Sequence, residues 1–296
     1  MPPRQVQWER MFPDELEAAI SETPICYMPY GLCEPHGALN ALGLDAVRAH
    51  GTCVATAREY GGIVAPPHYW NCHEVGLYAS WGEEVIGNER PWLTALPPWM
   101  FFKVIFYHLR AIEAAGFKAA VILSGHSGPH GRDFPMFLDL IQPHLSVQAS
   151  VFMGLGTEES RFGDSDGTGG HAGRGETSML WAVAPDCVDL SRLPDADAQR
   201  PLYALGGHND KASLRAGQQM VRDAARNLSQ SAEELLARHS AGPDTKPLTF
   251  AQVETIWADV VRPKLNDFAS MQTGDREPPA GSIWQGNWSI PDGSTL

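Results

Sequence analysis

The chain is 296 residues long and carries 22 Lys and Arg against 35 Asp and Glu, a formal net charge of −13. Hydrophobic residues make up 43% and charged residues 19%, the balance of a globular protein long enough to bury a real core and unlike that of a disordered one. The acidic excess argues against a nucleic-acid partner, whose binding rests on Lys and Arg, and no basic cluster invites docking on anionic lipid.

In chain order, the pattern predicts a short acidic helix from Pro13 to about Ile20, then a buried strand over Pro24–Met28 closed by a Pro-Tyr-Gly turn. A helix is expected from about Asp45 to Tyr60, ended by Gly61-Gly62, and a brief strand over Ile63–Ala65. Phe101, Val104, Ile105, Leu109 and Ile112 form one stripe of a helix from about Pro98 to Ala115. Ala119–Leu123 is apolar on both faces, as a central parallel strand requires. A helix over about Phe134–Ile141 and a strand over Val147–Phe152 repeat the alternation. Residues 154–175, rich in Gly and Asp, read as a long loop, and such loops are often functional. Further helices are expected from near Gly175, over about Asp210–Arg238, and after the capping box Thr249-Phe-Ala-Gln252, the last kinked or ended by Pro263. The tail from Thr273 is expected to wrap a surface. The rhythm predicts an α/β layered fold, a mostly parallel central sheet flanked by helices. No linker separates two cores; residues 1–240 read as the main domain and 241–296 as a helical extension and tail packed on it.

No segment reads as a membrane span: the most apolar stretch, Trp99–Phe106, is short and interrupted by Lys103, whereas a span needs about 20 apolar residues. The N-terminus lacks the apolar stretch of a secretory signal. Five cysteines without a Cys-x-x-Cys pair suit free thiols in a reducing compartment, so a cytoplasmic location is expected.

Residues able to bind a metal gather where predicted strands end. Cys33-Glu34-Pro35-His36-Gly37 follows the first strand, with Asp45 at the head of the next helix. Ser124-Gly125-His126-Ser127-Gly128 follows the strand at 119–123, and His171-Ala-Gly-Arg-Gly-Glu176-Thr-Ser closes the long loop. In open α/β sheets ligands bind beyond the carboxyl ends of the strands, so these three segments can converge. Glu34 and His36, two apart on one side of an extended segment, can each face a different ion, and Asp45 has two oxygens with which to bridge them. Histidine with carboxylate ligands suits Zn²⁺ or Mn²⁺. Taken singly, each has a plainer reading: a surface or satisfied Glu-x-His pair, a helix N-cap for Asp45, a hydrogen-bonded turn for His126.

Together the segments resemble the creatininase (creatinine amidohydrolase) family. Pro29-Tyr-Gly-Leu-Cys-Glu34-Pro-His36-Gly37 with Ala41-Leu-Gly-Leu-Asp45 is similar to its metal-binding opening. Ser124-Gly-His126-Ser-Gly128 is similar to its Asn-Gly-His-Gly-Gly strand end, and His171-Ala172-Gly173-x-x-Glu176-Thr177-Ser178 to its His-Ala-Gly-x-x-Glu-Thr-Ser block. The stretch from Gly206 to Ser213 matches its C-terminal element more weakly. The likeness runs over about residues 24–235 in order. It implies two divalent metal ions (zinc or manganese, with iron a further candidate) held by Glu34, His36, Asp45, His126 and Glu176, with Asp45 as the bridge. Glu176 is implied because Gly128, standing where creatininase itself has a glutamate, cannot ligate. It implies hydrolysis of a carbon–nitrogen bond in a small, cyclic amide by hydroxide held between the ions. His171 and Glu176 are the catalytic candidates, with His171 either protonating the leaving group or orienting Glu176. A homo-oligomer, often a hexamer, is also implied.

Departures keep the substrate open. Pro129-His130 stand where the family pattern has Asn, and Trp70, His73, Trp81, Trp92 and Trp99 crowd one stretch that could wall a flat substrate or simply pack. Members of the family also hydrolyse formamide-type or peptide bonds, and some resemble ring-opening hydrolases of cyclic keto-sugars, which makes a ring-opening C–C hydrolase of a cyclic keto-sugar or inositol derivative the alternative. A non-catalytic metal- and ligand-binding member is a third reading. A serine hydrolase at Gly125-His-Ser-Gly128 lacks the Gly-x-Ser-x-Gly elbow, and Gly167-Thr-Gly-Gly170 lacks the context of a phosphate cradle.

Overall fold

The computed structural model describes residues 4–72, 86, 93–126, 130–153, 170–195, 197–198, 202–240, 245–271 and 280. Most of the expected 154–175 loop, the residues His73, Trp81 and Trp92, and the tail beyond 271 (Ala280 apart) fall outside them.

The described elements are α1 (Pro13–Glu22), β1 (Ile25–Tyr30), α2 (Leu44–Tyr60), β2 (Ile63–Val64), α3 (Pro98–Ala114), β3 (Ala119–Ser124), α4 (His130–Ile141), β4 (Gln148–Phe152), α5 (Arg174–Val183), α6 (Leu214–Arg238) and α7 (Phe250–Ile256). The strands form one sheet in the order β2-β1-β3-β4, every pair parallel, with Ile25 opposite Ala119 and Tyr30 opposite Ser124.

Both faces of the sheet are covered, which is why β1 and β3 are buried at every position. Cys26, Met28, Tyr30, Ala120 and Ile122 point into a core with Phe101, Phe102 and Phe106 of α3 and Phe134 and Phe137 of α4. Ile25, Tyr27, Val121 and Leu123, the alternate residues, point into a second core with Ala49, Cys53 and Ala57 of α2, Met179 of α5 and Ala224 and Leu228 of α6. The chain is therefore a helix–sheet–helix sandwich, as the sequence pattern predicted.

The crossovers position the site. From β1 the chain passes through α2 to β2 on one side, then returns over β1 through α3 to β3 and continues through α4 to β4. Right-handed crossovers running in opposite directions must place their helices on opposite faces. The direction changes between β1 and β3, and beyond their carboxyl ends a crevice opens.

Several boundaries differ from the expectation. α4 begins at His130, a turn earlier, because Pro135 inside it removes one backbone donor without ending it. α6 begins at Leu214 rather than near 210: Ser213 is extended and its side chain accepts from Ala216 N–H, while Asn209–Lys211 form a separate 3-10 turn. The capping box at Thr249 is formed with Gln252, but the α-helix gives way to a π turn at Trp257–Val261 before Pro263, which sits in a 3-10 segment. Val253, Trp257, Val261, Leu265 and Phe268 of this region join the phenylalanine core. Two buried carboxylates fasten it there. Glu113 accepts from Ser146 and from Leu248 N–H, and Asp133 accepts from the N–H groups of Ala269 and Ser270 at 2.7 and 2.8 Å.

Candidate metal centre

The Glu34–His36 segment leaves the end of β1, His126 leaves the end of β3, and Asp45 lies in the first turn of α2, which is wedged between them. That wedge requires glycine at two points. A Cβ on Gly31 would collide with the backbone of Ala46, and one on Gly125 with the carbonyl of Asp45. The glycines of the first two motifs thus let helix α2 rest on both strand ends. Glu176 arrives from the first turn of α5.

Glu34, His36, Asp45, His126 and Glu176 are all buried, and the structure brings them together. Two triads share Asp45: Glu34–Asp45–His126 and His36–Asp45–Glu176. A third, Glu34–His36–His171, overlaps both. His126 Nδ1 lies 3.1 Å from Glu34 Oε1 and 3.3 Å from Asp45 Oδ2. His36 Nε2 lies 3.3 Å from Asp45 Oδ1 and 3.8 Å from Glu176 Oε2. Donors at 2.0–2.2 Å from a tetrahedral zinc stand about 3.4 Å apart, so the spacing matches a cation of this size.

Two further features fit the centre to a metal. His36 Nδ1 is 2.9 Å from the Glu34 carbonyl, which can only accept, so Nδ1 carries a proton and it is Nε2 that would offer a lone pair to a cation in the cluster. Among the described residues His36 Nε2 and Asp45 Oδ2 are buried without a well-formed hydrogen bond, a costly state unless something else occupies them.

The electrostatics agree. Burial opposes charge on both histidines, yet the carboxylates overcome it, Asp45 chiefly for His36 and Glu34 chiefly for His126. His36 is pushed up to about 9 and His126 to about 10. Burial likewise works against the Asp45 carboxylate, and His36 and His126 hold it below the usual range. The pocket concentrates enough negative potential to draw protons onto imidazoles where a cation would sit. His171 differs. Burial, then the charge on His36, keep it below its ordinary value, and its ring stacks on His36 at 4.4 Å. Its Nε2–H donates to the Pro35 carbonyl at 3.0 Å, so Nδ1 faces the cluster, 3.8 Å from Glu34 Oε1.

Glu176 accepts from Ala172 N–H at Oε2, 2.7 Å, and from Arg48 at Oε1, while the His171 ring is turned toward Glu34. Ala172 takes a left-handed conformation, φ +50°, unfavourable for a residue with a Cβ. It is held by Asn209, whose Nδ2 donates to the Ala172 and Gly206 carbonyls while its Oδ1 accepts from Thr177. Thr177 in turn accepts from Asn40, which also donates to the His36 carbonyl. This buried chain ties the first motif to the third. Sequence reasoning missed Asn40, Asn209 and Arg48. Their signal was spacing alone: Asn40 four residues after His36, and Arg48 one helical turn after Asp45. Ser127, Gly128 and Pro129 lie outside the described residues, as does the His130 side chain.

The model of one family, creatininase (creatinine amidohydrolase), matches residues 9–232. Among solved structures the chain is similar to a creatinine amidohydrolase, at 17% identity over 82% of this chain and 100% of that one, TM-score 0.58. It is similar to a manganese creatininase, at 19% identity over 78% and 98%, TM-score 0.59. A Zn–Zn form of a creatininase mutant aligns at 19% identity over 78% and 98%, TM-score 0.58. At such identities these likenesses carry the fold. No curated protein sequence matches the chain. No helix among the described residues is long and apolar enough to cross a membrane. With the family's model spanning well over half the sequence and its three motifs meeting in one buried cluster, the chain belongs to the creatininase family of metal-dependent amidohydrolases.

Proposed function

We propose that this amidohydrolase opens a carbon–nitrogen bond of a small cyclic amide at a dinuclear centre held by Glu34, Asp45 and His126 on one side and His36, Asp45 and Glu176 on the other. The observation that carries the reading is the sharing of Asp45 between two buried triads. Mixed imidazole and carboxylate donors favour zinc or manganese over calcium, and the creatininases similar in fold include a manganese and a Zn–Zn form. When bound, such ions polarise a carbonyl and lower the pKa of shared water toward 7.

The protein's own groups supply the rest. Glu34 and Asp45 counter the cationic charge, and burial in the crevice keeps bulk water from competing. His171 is placed to carry a proton on Nδ1, its other nitrogen being committed to Pro35, so it can protonate the departing nitrogen. Its depressed basicity leaves Nδ1 unprotonated at rest, so the proton it passes to the nitrogen is one it first takes up during the reaction. The free thiols of Cys26, Cys33, Cys53 and Cys187 support a cytoplasmic location. Half-exposed Trp70 and Met100 offer apolar surface that a homo-oligomer, a hexamer in the family pattern, would cover.

The test is elemental analysis of the purified protein followed by turnover assays on cyclic amides and cyclic ketones. About two zinc or manganese ions per chain with amide turnover is the expected result. Protein that takes up no divalent ion, or that turns over cyclic ketones and no amide, overturns the reading.

A further inference from the structure

Arg48 is a buried arginine with no counterpart among the expected ligands, yet it lies inside the same constellation. It stands three residues after Asp45, so the face of α2 that delivers the shared carboxylate also delivers a guanidinium. One nitrogen, Nη2, is 2.7 Å from Glu176 Oε1 and 2.7 Å from the Gly125 carbonyl. Its two hydrogens can serve the two acceptors at once. Glu176 is consequently gripped on both sides, Oε1 by Arg48 and Oε2 by Ala172 N–H, and Oε2 is the oxygen left facing His36.

This grip answers a difficulty the sequence poses. With Gly128 unable to ligate, the last carboxylate must reach the centre from α5, an element that joins neither β1 nor β3. A carboxylate brought in from a separate helix has rotational freedom unless something fixes it. We infer that Arg48 is the positioning residue for Glu176: a strap that fixes its orientation and, through the Gly125 carbonyl, ties that orientation to the His126 turn. The inference rests on reading Glu176 as a ligand. Arg48 need touch neither substrate nor metal; it acts through Glu176. Lysine could keep the charge but offers no planar fork to hold two acceptors in fixed directions.

The test is a double-mutant cycle on zinc binding, read by calorimetry on the metal-free protein, with apo-protein thermal unfolding as the check on folding. Arg48→Met should weaken binding of the second zinc equivalent by about 10- to 100-fold, as loss of a partner that orients a ligand does. Arg48→Lys, milder for folding, should weaken it several-fold. In a Glu176→Gln background Arg48→Met should add nothing, because the group it positions is gone. An equal loss in both backgrounds overturns the inference, as do unchanged affinity and tighter binding, the last assigning Arg48 a purely electrostatic role. Failure of the underlying reading looks different: Glu176→Gln would then bind two zinc equivalents as the wild type does.

Discussion

Two pairs of histidines flank strand β1, and their surroundings have opposite effects. Beyond its end, His36 and His126 sit among Glu34, Asp45 and Glu176 and are raised to about 9 and 10. Beside it, His68 and His108 line a cavity of about 280 Å³ with Trp8, Met28, Tyr30 and Ile112. There burial dominates for both and outweighs the Trp70 carbonyl at His68, while the neighbouring His68 adds to it at His108, which falls to about 4. The buried Tyr30 hydroxyl is likewise kept protonated and donates to His108 Nδ1 at 2.5 Å, while His68 Nδ1 donates to the Trp70 carbonyl at 2.7 Å. Both pairs are fixed by hydrogen bonds, His36 and His126 fully buried and His68 and His108 half-buried; only the first pair has carboxylates beside it. The contrast shows that burial of imidazole alone builds a neutral pocket, and that acidic neighbours turn it into a cradle for cations.

The comparison breaks most decisively at Asp45. Asp45→Asn removes the charge common to both triads, and zinc affinity should drop about 100-fold or more, with turnover lost alongside it. Calorimetry and elemental analysis read the change, and wild-type metal content in this variant would defeat the dinuclear assignment. A smaller and more selective effect belongs to His171. Its Nε2–H is already spent on Pro35, so His171→Ala should keep both metals yet slow turnover about 100-fold, the usual weight of a general acid. Turnover at the wild-type rate would remove it from proton transfer.

The smallest effect sharpens the other side of the contrast. His108 has a folded-state value of about 4, below the ordinary 6.5, so between those values the unfolded chain binds the extra proton. Stability is full above about pH 6.5 and falls as pH drops toward 4, by something of order 2 kcal/mol. His68, also lowered, adds in the same direction. Urea unfolding of the metal-free protein at pH 7 and pH 4.5 measures the fall. His108→Gln, which keeps an acceptor for Tyr30 without a titrating ring, should lose less over the same interval. An identical loss would place the acid sensitivity elsewhere.

The sequence pattern carried much of this architecture because parallel sheets write themselves plainly. Ala119–Leu123 is apolar on both faces because cores lie above and below it, and α2 ends where Gly61 permits it. The five proposed ligands were legible because metal chemistry restricts the residue types and strand ends restrict their place. What was illegible is what holds them. Arg48, Asn40 and Asn209 act through distances set by tertiary packing, and an arginine one helical turn past an aspartate looks like any solvated pair. The strained Ala172 could not be foreseen either, since nothing in His-Ala-Gly marks the alanine rather than the glycine as the left-handed residue. The helix starts at His130 and Leu214 depart from the periodicity because local signals, a proline inside and a serine cap, compete with it.

The family's model stops at residue 232, but the hydrophobic packing does not. Among the described residues, Glu113 accepts from Leu248 N–H beyond that limit and from the N–H and hydroxyl of Ser146, and Asp133 accepts from the N–H groups of Ala269 and Ser270 beyond it. A protein trimmed to the recognisable family unit would take both main-chain donors from Asp133 and the edge of Phe268 from Phe102, leaving part of the phenylalanine core open to water. Evolutionary bookends and thermodynamic ones therefore fall at different places in this chain, and anyone cutting it for expression should follow the second.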